Sequence, residues 1–280
     1  METNRFIKAT AFIFASAMTV ILPSCGNDDE PKDTNQILKP ISENILGKWR
    51  QTKCYSLQDN GKWMEEINEA GVEEIMTFNA GGKTNISYTA ADGMTTLHVA
   101  DWRVDEADNA LWLGPHGYSI LSLGKDAFIW SLNKAIDSST GELIDGKWKW
   151  EMTRIDPSEL NLAEKLVGKW VFSKTYQKIE GKWQEISFGV PDEGYYDFKE
   201  DGTSIVYSRL GSDVLTSEMN WSVDCKTGKL QWYKGETKGN PVIISISGNQ
   251  LSVEYTNNFD QGSGEIVSAK FKDILIRENK

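Results

Sequence analysis

The chain has 280 residues, 39% of them hydrophobic, with 30 basic against 41 acidic side chains and a formal net charge of −11. That balance repels phosphate backbones and anionic headgroups, so it argues against nucleic acid as a partner and leaves no basic patch for a lipid surface. Two histidines and three cysteines without a C-x-x-C give no metal-site spacing and imply no cofactor.

In chain order, Arg5 and Lys8 precede the apolar run ATAFIFASAMTVIL (9–22), which has the length of a signal peptide rather than of a membrane span. The run ends at Leu22-Pro23-Ser24-Cys25. A cysteine after a small residue at that place resembles a bacterial lipoprotein signal. The resemblance implies removal of residues 1–24, acyl chains on Cys25, and lipid anchoring in the outer membrane. The next residues, GNDDE (26–30), resemble the export tag of surface lipoproteins in Bacteroidetes-type bacteria, which implies exposure at the cell surface. Read as charge alone, residues 25–40 are a solvated acidic tether. Cys54 and Cys225 have no spacing that supports a disulfide.

Two short helical leaders follow, PISENIL (40–46) and PSELNLAEKL (157–166), each with proline at its start and Asp156 available to cap the second. Everything else reads as strand. Runs of alternating character, such as Ala100, Trp102, Val104 and Met219, Trp221, Val223, are punctuated by turns such as DNG, AGG, KEDG and SGN. The second half also repeats the first. LGKWRQTKCYSLQDNGKW (46–63) aligns with VGKWVFSKTYQKIEGKW (167–183), IMTFNAGGKT (75–84) with YYDFKEDGTS (195–204), and DWRVDEADNALWL (101–113) with NWSVDCKTGKLQWY (220–233). A repeat of this length is a domain. The expected organisation is all-β, with two tandem antiparallel up-and-down β-barrels at 41–156 and 157–280, each behind a short helix.

The motif GKW occurs five times. At 61–63, 146–148 and 181–183 it follows a polar residue at a hairpin corner; at 47–49 and 168–170 it follows a leader and opens the first strand. A Gly-x-Trp on a first strand with an arginine on the last is similar to the lipocalin (calycin) family and to the lipocalin-like domains of Bacteroidetes lipoproteins. Gly47, Trp49 and Arg154 fit the pattern in the first domain; Gly168, Trp170 and Arg277 fit it in the second. The resemblance implies that each arginine lies over its tryptophan and closes one end of a barrel.

Catalytic signatures are missing from the sequence. GGKT (81–84) lacks the earlier glycine and the following helix of a phosphate loop, and no G-x-S-x-G exists. No catalytic residue is assigned. The expected role is non-catalytic binding of a small apolar molecule or a glycan fragment. Aromatic residues that do not recur in the repeat are the better ligand candidates, since indole faces stack on sugar rings and line apolar cups. Trp112, Trp130 and Trp232 are such residues. Tyr255, on one parity with Leu251 and Val253, joins them. His98 shares the parity of Ala100 and Trp102 and is expected inside the first barrel. The alternatives are a filled-barrel interaction protein with an exposed apolar patch and, third, a glycan hydrolase with paired inward carboxylates.

Overall fold

The computed structural model describes residues 40–67, 70–136, 143–145, 147–187, 191–260 and 266–278. The signal segment, the tether and Cys25 lie outside the described residues. The protein is all-β, with 68% of the described residues in strands and 4% in helices. It divides into two compact units, Met1–Ile86 with Val99–Glu159 and Ser87–His98 with Leu160–Lys280. The boundary expected at 156/157 thus places Ser87–His98 differently from the packing, which counts this segment with the second unit.

The first half of the chain holds α1 (Ile41–Asn44), β1 (Gly47–Leu57), β2 (Trp63–Glu66), β3 (Glu73–Phe78), β4 (Lys83–Thr89) and β5 (Met94–Asp105). These are followed by β6 (Ala110–Leu113), β7 (His116–Leu123), β8 (Ala127–Ile136), β9 (Leu143–Asp145) and β10 (Trp148–Ile155). Antiparallel pairing runs β3–β1–β10–β8–β7–β6–β5, with β2 on the far half of β1 and β9 on β8. Tight turns join β4 to β3, through the Asn79 N–H to Lys83 carbonyl bond, and to β5, through Ala90 to Met94.

The second half holds α2 (Leu162–Leu166), β11 (Gly168–Ile179), β12 (Lys182–Ile186), β13 (Glu193–Phe198), β14 (Thr203–Leu210) and β15 (Asp213–Asp224). Then come β16 (Lys229–Lys234), β17 (Thr237–Lys238), β18 (Val242–Ser247), β19 (Gln250–Asp260) and β20 (Ile266–Arg277). Here the ring closes: β11–β13–β14–β15–β16–β18–β19–β20 and back to β11. This is an eight-strand closed antiparallel barrel, which leaves no free edge in the ring.

Local chemistry explains the path. β11 joins β12 through a two-residue loop, Glu180-Gly181, both with positive φ, the conformation whose twist matches that of a hairpin. A register shift between Phe172 and Lys174 bends β11, so its start pairs with β13 and its end with β12. The equivalent shift lies between Gln51 and Lys53 on β1. The second leader differs from expectation. Asp156 accepts from the Ser158 N–H in a local turn, and the helix starts six residues later, at Leu162. Asn161 caps it instead, in a box closed reciprocally with Glu164 at 2.9 Å each way.

Candidate functional site

Each unit has the same arrangement at one end. Trp49 and Trp170 are fully buried, and each indole N–H donates to the carbonyl at the end of its leader, Ile45 or Leu166, at 2.7 Å. Arg154 Cζ lies 4.0 Å from the Trp49 ring and Arg277 Cζ 4.1 Å from Trp170. The guanidiniums also donate to leader carbonyls. Arg154 reaches Leu46 and Asn44 at 2.6 Å, and Arg277 reaches Val167 at 2.6 Å and Lys165. These bonds satisfy the free carbonyls of a short helix end. Glycine is required beside them. Gly47 and Gly168 have φ of +116° and +120°, and a Cβ there would stand 2.6 and 2.9 Å from the arginine Nη1. The first and fourth GKW motifs are therefore arginine seats, while those at 61–63 and 181–183 are corners, and Gly146 lies outside the described residues.

Beyond Trp170 and Arg277, the interior of the second unit's barrel turns polar further along β11 and β20. Phe271, Asp273 and Leu275 share one face of β20, and Asp273 is buried, accepting from Thr175 Oγ1 at 2.8 Å. Burial pushes its carboxyl above the ordinary range, although bonds from Thr175 and Tyr255 pull it down. Tyr196 and Tyr255 face the same carboxylate, and burial, reinforced by that charge, raises both phenols. Trp232 packs beside Tyr196 with ring centres 5.5 Å apart, and its buried indole N–H has no partner among the described residues.

In the same unit a cleft of about 470 Å³ is lined by residues of β12, β18, β19 and β20 and by Asn240 and Pro241. Trp183, Tyr255 and Phe271 supply its aromatic faces; Asn240, Asn258 and Glu254 supply polar groups. Tyr255 and Phe271 stack with centres 5.6 Å apart. Lys272 Nζ sits 4.4 Å over Trp183 and pairs with Glu254 at 3.0 Å, which holds the indole beside the cleft. A second cleft of about 450 Å³ adjoins it, sharing Ser268 and Lys270. Both volumes suit a small ligand.

The predicted ligand residues separate. Trp232 and Tyr255 both pack against the core of the second unit, and of the two only Tyr255 lines the cleft. Trp130 is a core residue of the first unit, packed on Phe128 and Trp150 and 4.4 Å from Tyr118. Trp112 does not face the core. Its neighbours Leu111 and Leu113 are the buried ones, while Trp112 lies over Gly117 with Arg103 Cζ 4.6 Å above it. His98 is exposed, bonded to Thr96 Oγ1 at 3.2 Å. Counting by twos from Trp102 fails because Thr95 and Leu97 are the buried residues of that stretch, so the alternation slips across His98 and Val99. Asp273, Thr175, Trp183 and Phe271 were missed. The parity of Phe271, Asp273 and Leu275 was the available signal for an inward acid.

Cys54 and Cys225 are both free thiols. Among the described residues no group of three or more His, Cys, Asp or Glu side chains is placed to hold a metal ion.

No family model matches the chain and no curated protein matches it. A crystal structure of a protein of unknown function from the DUF3598 family of Nostoc punctiforme is 12% identical over 84% of this chain and 97% of that one, with a TM-score of 0.25. A likeness at that score carries no argument about this protein.

Proposed function

We propose that the protein is a lipid-anchored, non-catalytic binding protein of the outer membrane, facing the cell surface, that takes a glycan fragment in the cleft beside Trp183 on its second barrel. Two tandem lipocalin-like barrels form its body. The closed ring of β11 to β20 and the repeated strand pairings of the first unit support the pair of barrels. The arginine over the tryptophan in each unit supports the lipocalin likeness. Anchoring through acyl chains on Cys25 rests on the sequence.

The cleft of about 470 Å³ carries the ligand reading. Its aromatic faces stand beside amide and carboxylate groups. That mixture suits a sugar, with apolar ring faces and a hydroxyl edge, better than a wholly apolar molecule. The test is a titration of the intact protein with cello-oligosaccharides and, separately, with palmitate, followed by calorimetry and tryptophan fluorescence. Oligosaccharide binding is expected, weakened about tenfold by Trp183→Ala, which corresponds to roughly 1.4 kcal/mol. Binding of palmitate alone would move the assignment to an apolar ligand. Binding of neither probe would overturn the reading.

A further inference from the structure

Within the second unit, the segment Ser87–His98 has a specific seat. It is the tip of the hairpin formed by β4 and β5. Thr95 and Met94 pair antiparallel with Val223 and Asp224. Leu97 packs into the core, and its carbonyl lies where a Cβ on Gly202 would come within 2.5 Å. Asn161 Nδ2 donates to Ser87 Oγ at 2.8 Å, and the Cys225 thiol reaches Thr95 Oγ1 at 3.2 Å.

The repeat supplies a second hairpin of the same kind, β14–β15. Trp221 is the counterpart of Trp102, so Val214 stands where Thr95 stands in the first copy. Thr95 is fully buried, whereas Val214 is 60% exposed, Leu215 59% and Leu210 52%. The repeat also supplies a second seat, on the first unit. Val104 is the counterpart of Val223, and Gly82 of Gly202. Val223 and Gly202 are buried, Val104 and Gly82 only half-buried, and Trp102 is 9% exposed against 0% for Trp221. One chain therefore carries an exposed apolar tip and a half-buried equivalent of the surface that covers such a tip.

We infer that the β14–β15 tip of one molecule docks on the Val104–Asp105 edge of another copy of this chain, with Val214 opposite Val104. Burying three exposed aliphatic side chains drives the contact, and strand pairing sets its register. The contact is head-to-tail, one tip and one seat per molecule, so it propagates into rings or short chains rather than stopping at a symmetric dimer. The same register sets Asp213 opposite Asp105. That like-charge pair weakens the contact relative to the seat within the chain, where Met94 takes the place of Asp213.

The full-length protein in detergent tests this by sedimentation and disulfide trapping. Two differently tagged copies, Val104→Cys and Val214→Cys, are mixed and mildly oxidised. A mixed cross-linked dimer is expected, and the double variant gives a ladder of higher species. Leu215→Lys, at an exposed position, abolishes association without lowering the melting temperature, and Asp213→Asn strengthens association. A sedimentation profile that stays monomeric at all concentrations overturns the inference. So does cross-linking of Val214→Cys to itself alone, which would mean a symmetric tip-to-tip contact. Failure of Asp213→Asn to strengthen association overturns the register. Capture of a monomeric protein by lipid vesicles through Leu215 would mean that the tip is a membrane contact instead.

Discussion

On β13 of the second unit, position 194 is glycine, and a Cβ there would lie 2.9 Å from Phe172. On β3 of the first unit the equivalent position is Glu74, since Met76 and Tyr196 occupy matching places opposite Trp49 and Trp170. On the last strand the roles reverse. Trp150 faces Cys54 in the first unit and Asp273 faces Thr175 in the second. Beyond its aromatic core the first unit thus holds Glu74 and, paired with Cys54, the buried Glu66, whereas the second holds Asp273 on the other side of its first strand. The tryptophan–arginine ends were preserved between the copies while these interiors diverged. A frame held by identical bonds can tolerate different contents, and difference in contents is where separate ligand preferences arise.

The largest expected effect tests the shared end. Trp170→Ala should cost about 3–5 kcal/mol of the second unit's stability, through lost burial and an unfilled space against Arg277. Trp49→Ala should do the same in the first unit. A thermal melt of each variant checks this. A cost below about 1 kcal/mol in either would mean that this end does not hold the frame.

The next effect tests where the units divide. Leu97→Ala should cost about 2–4 kcal/mol, the range for truncating a buried leucine. Hydrogen exchange should show the loss in the strands of the second unit, β15 and β16, although Leu97 lies in the first half of the chain. Thr216→Ala, at the exposed counterpart position, should stay within about 0.5 kcal/mol. For the same reason a fragment beginning at residue 157 should melt lower than the second unit in the intact chain.

A third effect separates the two interiors by pH. Burial pushes the Glu74 carboxyl up to about 7. Above its unfolded value, the native state holds the proton more tightly, so this contribution to stability is full at acid pH and is lost as pH rises through about 7. Glu74→Gln should remove about 2 kcal/mol of pH dependence between roughly pH 5 and 8. Melting temperatures of wild type and variant across that range check it, and parallel curves would refute it. Asp273→Asn should flatten the second unit's dependence in the same direction, because its carboxyl is also raised.

The frame was legible because its signals are local and occur twice. Gly47 and Gly168 stand next to their tryptophans, and the arginines close each repeat. Alternation found the strands, and duplication gave their boundaries. The failures come from long-range effects. His98 was placed inward by counting from Trp102, but Leu97 is held in the second unit's core and resets the parity. Asp156 looked like a helix cap because the competing box of Asn161 and Glu164 depends on where the chain turns. Trp183 was absorbed into a turn motif, since nothing in GKW shows that Lys272, far along the chain, would pin its ring at a cleft. Non-recurrence of an aromatic marked divergence, but it could not separate the interior from the outer wall.

Trp112 supplies the smallest prediction and the cleanest control on that last point. It is a non-recurring tryptophan, as Trp232 is, but Arg103 covers its face and the buried leucines flank it on the opposite parity. Trp112→Ala removes one cation–π contact worth about 0.5–1 kcal/mol and leaves no hole in the core. It should lower stability by no more than about 1 kcal/mol and leave oligosaccharide binding unchanged, while Trp232→Ala should disturb both. Equal effects of the two on calorimetric binding would show that ligand contact does not depend on which side of the strand an aromatic occupies, and the cleft of the second unit would lose its claim to the site.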